Sequence, residues 1–137
     1  MSKLIEVELS KIIIDEKRQD QVIVLKEKTG ERQFPIVIGF LEASSIKMKL
    51  SGMEPPRPMT HDLLVSTIES LGGRLERLII DKMEDNTYHA KLELKRGTKK
   101  IKVDTRPSDG IALVVRTGAK IFVEEGVMEK SALFKNT

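Results

Sequence analysis

The sequence predicts an α+β domain, with about three helices packed on a mixed, mainly antiparallel sheet built from hairpins. Three observations lead to this class. Apolar and polar residues alternate in several segments that are separated by short turns, as in β-hairpins. Apolar residues at helical spacing occur in about three other segments, which do not alternate one for one with the strands. The chain has 137 residues, which fits a single domain over residues 1–137.

The N-terminal part predicts a strand followed by a hairpin. The strand covers residues 4–14, where Ile5, Val7 and Leu9 alternate with polar residues. A two-residue turn at residues 29–30 then places apolar residues opposite apolar ones and acids opposite bases. The opposed pairs are Ile23 with Ile36, Leu25 with Phe34, Val22 with Val37, Glu27 with Arg32 and Lys28 with Glu31. Both faces of this hairpin are apolar, which predicts a central place in the sheet with both sides covered.

The middle of the chain predicts two helices separated by a loop. The first helix follows Gly39, and Gly52 with three prolines makes residues 51–58 a loop. Thr60 is expected to cap the second helix, which ends at residues 72–73. The residues expected to face inward are Ala43, Ile46 and Leu50 in the first helix and Leu64, Ile68 and Leu71 in the second.

A second group of strands is predicted next. Alternation marks strands over residues 75–83 and 88–95. With residues 96–97 as the turn, the following hairpin places Leu92 opposite Ile101, Ala90 opposite Val103, Glu93 opposite Lys100 and His89 opposite Asp104.

The C-terminal part predicts a helix, a strand and a helical tail. Ser108 is expected to cap the helix, which runs to Arg116 and is closed by Gly118. A short strand over residues 120–123 follows, and residues 124–134 suit a short helix.

Composition limits the chemistry open to the chain. It has no cysteine, which excludes disulfides, zinc–thiolate sites and a cysteine nucleophile. Lys and Arg number 24 against 21 Asp and Glu, and the net charge of +3 does not by itself indicate nucleic acid. No apolar run reaches the ~18 residues of a membrane helix and no signal peptide is visible, so we expect a cytoplasmic protein without membrane contact. The charged fraction of 33% is typical of thermophilic proteins.

Two segments, residues 57–63 and 104–110, combine an arginine–proline pair, a hydroxyl residue and an aspartate at a predicted helix start. The free N–H groups of a helix N-terminus bind phosphate, and Arg57 and Arg106 would each add a guanidinium fork. The carboxylates of Asp62 and Asp109 are ligands that Mg²⁺ or Mn²⁺ prefers. Together these parts suit metal-assisted hydrolysis of phosphodiesters.

Further candidates lie close to these segments. His61 could act as a general base or a metal ligand, and Glu42, near the start of the first predicted helix, could join the carboxylates. Basic residues at the tip of the last hairpin could contact a phosphate backbone. They are Lys95, Arg96, Lys99, Lys100 and Lys102.

Each feature also has an interpretation without a ligand. A hydroxyl residue followed by an aspartate is ordinary helix capping. His61 could be a surface residue, and His89 with Asp104 a cross-strand polar pair. Charges at a hairpin tip keep the tip solvated and protect the sheet edge.

At these segments the chain resembles the bifunctional nuclease domain family, a group of bacterial and plant proteins. The matching residues are Pro35-Ile36-Val37-Ile38-Gly39, Glu42-Ala43 with Ile46, Arg57-Pro58-Met59-Thr60-His61-Asp62-Leu63, Arg106-Pro107-Ser108-Asp109-Gly110-Ile111-Ala112-Leu113, Arg116 and Ile121-Phe122-Val123. The resemblance spans nearly the whole chain. Gly110 stands where the family usually has Ala, and Lys120 where Pro is common.

The resemblance implies a compact, oligomeric α+β domain with nuclease activity on DNA and RNA. It supports a site drawn from Glu42, Arg57, Thr60, His61, Asp62, Arg106, Ser108 and Asp109.

We therefore predict a metal-assisted nuclease that hydrolyses phosphodiester bonds of DNA or RNA. His61, Asp62, Asp109 and Glu42 are the predicted catalytic residues, and the three carboxylates would also hold Mg²⁺ or Mn²⁺. Arg57, Thr60, Arg106 and Ser108 would bind the substrate. The alternatives are a non-catalytic module that binds nucleic acid, a small anion or a protein, and two segments that only brace the fold. An exposed sheet edge predicts a homo-oligomer, specifically a homodimer.

Overall fold

The computed structural model describes residues 3–132. In chain order these residues form β1 (Leu4–Ile13), β2 (Asp20–Glu27), β3 (Gln33–Gly39), α1 (Phe40–Leu50), α2 (Thr60–Ser70), β4 (Gly73–Glu84), β5 (Thr87–Arg96), β6 (Lys99–Thr105), α3 (Pro107–Thr117), β7 (Lys120–Glu124) and α4 (Glu125–Ser131). One seven-stranded sheet holds all these strands, and only β4 and β7 pair in parallel. The predicted element order and the α+β class are confirmed.

The first hairpin has the predicted register but not the predicted place. Ile23 lies opposite Ile36, and Nη2 of Arg32 lies 2.9 Å from Oε2 of Glu27. The expected central position is wrong, because the strand order is β3-β2-β1-β7-β4-β5-β6 and β3 is therefore an edge. The expected cover on both sides is also wrong, because Val37 points away from the core and is 61% exposed.

The predicted register of the β5–β6 hairpin is wrong by two residues. Leu92 lies opposite Val103, and Lys91 rather than His89 lies opposite Asp104. The strands run up to Arg96 and Lys99, so the turn consists of Gly97, with φ of 62°, and Thr98. A two-residue hairpin turn of this kind needs a positive φ, which glycine adopts at no steric cost. A shift of two leaves each side chain on the face predicted for it.

The helices and the core share one face of the sheet, called the inner face here. Leu78 and Ala90 on the strands belong to the same buried cluster as Ile46 of α1 and Ile111 of α3. The opposite, outer face carries polar side chains of the same strands, because successive residues of a strand point to opposite sides. The sheet curves round the helices, since the ring of Phe34 in edge strand β3 lies 5.5 Å from the ring of Tyr88 in β5.

The helix starts differ from the predicted caps. The N-cap of α2 is Met59 rather than Thr60, and Oδ2 of Asp62 accepts a hydrogen bond from the Met59 N–H at 3.0 Å. The N-cap of α3 is Arg106 rather than Ser108. Pro107 takes the first helical position, where proline is favoured, and Ser108 is the buried second residue of the helix. Gly118 closes α3 with φ of 80°, as predicted.

The expected inner faces of two helices need correction. In α1, Ala43 and Ile46 are buried but Leu50 is 55% exposed. In α2, Val65 packs against the core and Ile68 is half-buried, whereas Leu64 and Leu71 are 40% and 65% exposed. The helix is therefore rotated from the predicted orientation, and it contacts α3 and β4.

The predicted helical tail is present as α4, with Val127 and Met128 buried. The part of this prediction that extends to Phe134 lies outside the described residues. Across residues 3–132, no helix is both long and apolar enough to cross a membrane.

Helix α3 packs directly against the Leu78 side chain of β4 at Gly110. A Cβ added to Gly110 would lie 2.5 Å from Cδ1 of Leu78 and 3.0 Å from Cδ2. Leu78 is fully buried, so it fills the space that an alanine methyl group would take. Gly110 thus lets α3 pack directly against the Leu78 side chain.

We expect Gly110→Ala to lower the free energy of unfolding. Alanine favours the helix by about 1 kcal/mol, but overpacking a fully buried contact costs about 1–3 kcal/mol. Gly126→Ala in α4 is the matched control. Its Cβ would meet no atom of residues 3–132 within 4 Å, so the gain in helix propensity should appear alone. Urea unfolding of both variants measures the difference, and a rise in stability for both would contradict the expected clash.

Candidate active site

Three helices bring polar side chains together on the inner side of the sheet. Helix α1 contributes Glu42 and Ser45, which are three residues apart and so share a face. The first turn of α2 contributes His61, and α3 contributes Asp109 and Arg116, two helical turns apart. They line a cleft of about 340 Å³, which we call the His61 cleft.

The centre of the cleft is a continuous run of hydrogen bonds. Nδ1 of His61 lies 2.7 Å from Oγ of Ser45, and Nε2 lies 2.9 Å from Oδ1 of Asp109. A carboxylate can only accept, so Nε2 carries the hydrogen, and in the neutral imidazole Nδ1 is then the acceptor for the Ser45 hydroxyl. The contacts thus fix both the tautomer and the direction of each bond.

Asp109 is held in its ionised form. Burial raises the pKa of Asp109, but hydrogen bonds from His61 and Arg106 outweigh burial and bring the pKa below the ordinary carboxyl value. Nε of Arg106 donates to Oδ2 at 2.8 Å. A carboxylate that stays charged keeps the imidazole ring oriented and would stabilise an imidazolium beside it.

Arg106 stands at the mouth of the cleft. Its guanidinium also contacts Glu42, with Nη2 3.2 Å from Oε2, and 67% of its side chain is exposed. Asp109 is the main cause of a raised pKa of Arg106. This cation is therefore held in place by two carboxylates while most of its surface faces solvent.

Arg116 lies deeper and connects the three helices. Its side chain is only 6% exposed, and Nε donates to Oδ1 of Asp62 at 2.7 Å. Its two other nitrogens donate to the carbonyl of Ala112 at 2.8 Å and to Oγ of Ser45 at 3.0 Å. The Met59 N–H and Arg116 both hydrogen-bond to Asp62 and lower the pKa of its carboxyl group.

The predicted site residues are only partly brought together. Glu42, Thr60, His61, Arg106 and Asp109 line the His61 cleft. Arg57 and Asp62 line a neighbouring cleft of about 290 Å³, which shares Arg116 with the first. Ser108 lines neither and faces a groove beside β3.

Sequence reasoning missed Ser45 and gave Arg116 no role. A single serine within a helix belongs to no sequence motif. Its spacing of three residues from Glu42, which places both on one helix face, was the one indication of its position. The polar residues Asp109 and Arg116 on the otherwise apolar α3 were a stronger one, because a charged side chain next to a buried helix face needs a partner.

The three predicted metal ligands do not fit a shared metal site in this arrangement. The Arg106 guanidinium lies between Glu42 and Asp109, and Asp62 faces Arg116. Among residues 3–132, no three His, Asp or Glu side chains are grouped so that they could hold a metal ion. We therefore derive no chemical step through a metal.

We expect Asp62→Asn to lower the free energy of unfolding by about 1.5–3 kcal/mol at pH 7, because hydrogen bonds to charged groups contribute that much. The folded state lowers the pKa of Asp62, so its stabilisation is present above the ordinary carboxyl pKa and is lost as pH falls through the folded value. The gap between wild type and variant should therefore narrow in acid. Guanidinium unfolding at pH 7 and pH 3 measures it, with Asp20→Asn, an exposed residue, as the control. Equal stability of all three proteins at pH 7 would contradict the assignment.

Comparison with known proteins gives two close matches. The chain is 39% identical over 128 residues to the "Uncharacterized protein MT1877" of Mycobacterium tuberculosis strain CDC 1551 / Oshkosh, which covers 93% of this chain and 76% of the relative. The "Uncharacterized protein Rv1829" of strain ATCC 25618 / H37Rv has the same identity and coverage. Residues 23–136 match the bifunctional nuclease domain. These residues carry α1, α2 and α3 with the whole His61 cleft, and the chain belongs to the bifunctional nuclease domain family.

Proposed function

We propose that this protein hydrolyses phosphodiester bonds of DNA or RNA in the His61 cleft. The run of hydrogen bonds from Ser45 through His61 to Asp109 carries the proposal. It joins a hydroxyl group, a base and a carboxylate that orients the base, which is the arrangement needed to activate a nucleophile. Membership of the bifunctional nuclease domain family supports the substrate class.

Ser45 is the proposed nucleophile. As its Oγ attacks the phosphorus atom, its proton passes to Nδ1 of His61, and Asp109 stabilises the imidazolium that forms. The phosphorus–oxygen bond to the leaving group breaks, and the leaving alkoxide takes the proton from His61. In a second step water attacks the phosphorus atom and gives a proton to His61. The bond between phosphorus and Oγ then breaks, and Oγ takes this proton from His61, which restores Ser45.

The two arginines have different proposed roles. Arg106, exposed at the mouth, would bind a non-bridging phosphate oxygen with a guanidinium fork. Arg116 already donates to Oγ of Ser45, so it would position this oxygen and favour its negative charge. Arg57 in the neighbouring cleft would bind the next phosphate along the strand.

The divalent metal predicted from the sequence stays a prediction. The steps above use the side chains of the cleft alone, because each predicted metal ligand already faces an arginine. The cytoplasmic location and the homodimer are likewise proposals, with β3 and β6 as the edge strands of the sheet.

The second candidate function is a non-catalytic binding module. Charge balance in the cleft favours it, because Arg106 and Arg116 are already paired with Glu42, Asp62 and Asp109 and so offer less positive charge to a transition state. The two functions differ in one respect, which is whether a bound phosphodiester is cleaved.

We expect His61→Ala and Ser45→Ala each to lower the rate of oligonucleotide cleavage by about 10²–10⁴-fold, because each removes one partner of the proton transfer. His89→Ala is the matched control, since His89 is the other histidine of the chain and lies on β5 outside the cleft. The assay measures release of product from fluorescently labelled DNA and RNA of about 20 nucleotides, which is long enough for several phosphate contacts. Undiminished cleavage by His61→Ala would refute the proposal, and binding without cleavage by wild type would establish the second candidate.

Removal of divalent metal should leave the His61-dependent cleavage in place, because the proposed steps use no metal. The measurement compares wild type dialysed against chelator with wild type given Mg²⁺ or Mn²⁺. If chelation abolishes cleavage and Mg²⁺ or Mn²⁺ restores it, the metal prediction is right and the Ser45 mechanism is incomplete. Asp109→Asn then distinguishes the two roles of Asp109. If Asp109 is a metal ligand, the variant loses metal binding measured by calorimetry as well as activity, whereas if it only orients His61, the variant loses activity alone.

A further inference from the structure

The outer face of the sheet has an uneven distribution of charge. Across β7, β4, β5 and β6, Lys120 lies opposite Arg77, Arg77 opposite Glu93, and Glu93 opposite Lys102. A second row joins Lys95 and Lys100, which are also opposite each other. We call the five cations Arg77, Lys95, Lys100, Lys102 and Lys120 the basic face.

Most of this charge is not neutralised within the protein. Glu93 is 6% exposed and is paired with Arg77, whose Nε lies 2.9 Å from its Oε1. By contrast, Lys95, Lys100, Lys102 and Lys120 form no ion pair with any residue that the structure describes. Lys100 and Lys102 lie close enough to Glu93 to help lower its pKa.

The basic face is also shaped to accept an extended ligand. Neighbouring strands lie about 4.8 Å apart, so the row from Lys120 to Lys102 spans about 14 Å. A shallow groove of about 380 Å³ runs between Arg77, Lys100 and Lys120. Its floor includes Phe122, over whose ring the Arg77 guanidinium lies at 5.4 Å.

Strand β6 connects this surface to the His61 cleft. Lys102 lies on the outer face, β6 ends at Thr105, and Arg106 at the mouth of the cleft follows at once. Four residues of extended chain cover about 13 Å. Asp104, the one acid on this path along β6, is paired with Lys91 at 3.3 Å between Oδ1 and Nζ.

We propose that the basic face binds the phosphate backbone of the nucleic acid whose scissile bond enters the His61 cleft. Unpaired lysines on the face of a sheet neutralise phosphates without reading bases, so this binding is independent of sequence and weakens with salt. The inference rests on the proposed function for the choice of partner, and it adds a second, non-catalytic contact outside the cleft.

The test is direct binding of a labelled single strand of about 20 nucleotides, long enough for several phosphate contacts, with every protein carrying His61→Ala to prevent cleavage. The variant Lys95→Gln/Lys100→Gln/Lys102→Gln should bind at least about tenfold more weakly at low salt. Its slope of log K against log salt should be smaller by about 2, because each lost phosphate contact removes about 0.7. The matched control is Lys17→Gln/Lys47→Gln/Lys130→Gln, which changes the net charge equally at lysines outside the basic face.

Equal weakening of DNA binding by both triple variants would overturn the proposal, because only the total charge would then matter. Unchanged DNA binding by both variants would overturn it as well. If the protein binds phosphatidylserine vesicles more tightly than DNA, and the Lys95, Lys100 and Lys102 substitutions weaken that binding, the choice of nucleic acid as the partner is overturned. Hydrolysis of bis(p-nitrophenyl) phosphate by proteins with His61 intact separates the two proposals. This small diester should be cleaved equally with and without the lysine substitutions. If it is not cleaved at all while the lysine variant still loses DNA binding, the proposed function fails and the basic face stands.

Discussion

The packing of α3 on the sheet is the constraint on which the cleft depends. Gly110 lies directly against the Leu78 side chain of β4, and α3 contacts the two other helices that form the cleft, α1 and α2. Arg106 precedes α3, Asp109 lies in its first turn and Arg116 in its last. A change in the distance between α3 and β4 would therefore move all three side chains at once, together with their partners on α1 and α2.

The ion pairs of the cleft stabilise the geometry and also limit the chemistry. Arg116 is nearly buried, so its charge is tolerable only because Asp62, the Ala112 carbonyl and Ser45 satisfy its nitrogens. The same contacts hold α1, α2 and α3 in register. Arg106 differs, because its exposed guanidinium can accept a phosphate while Asp109 and Glu42 keep it in position. Arg116 thus holds the helices and the Ser45 hydroxyl in place, whereas the exposed side of Arg106 can meet a ligand.

Much of the fold could be predicted because patterning and turn chemistry agree. Opposed charges such as Glu27 and Arg32 set the β2–β3 register correctly, but nothing local says which strand becomes an edge. That depends on β7, which inserts between β1 and β4 from the far end of the chain. The predicted β5–β6 register was wrong for a different reason. A shift of two residues keeps the alternation intact, so the turn decides the register. A type II′ turn takes glycine at its first position, which Gly97 occupies with its positive φ, whereas the predicted turn would place Arg96 there.

The candidate site was less predictable because its residues come from three helices that are distant in sequence. The two Arg-Pro segments were found, and they place His61 and Asp109 in one cleft. Their similarity did not carry over to geometry, since Arg106 faces the His61 cleft and Arg57 the neighbouring one. Ser45 could not be singled out, because a serine hydroxyl becomes chemically distinct only through the imidazole and guanidinium placed beside it.

Charge separation between the two faces explains how a weakly basic protein can bind a polyanion. The net charge of +3 averages over a cleft in which acids and arginines cancel and an outer face in which lysines do not. Binding to phosphates depends on the local density of unpaired cations rather than on their total. Because Thr105 and Arg106 join the end of β6 to the start of α3, a strand held on the outer face reaches the cleft by passing this one sheet edge. Edge strand β6 would then remain exposed because the ligand crosses it, and a partner chain paired along it would close that path.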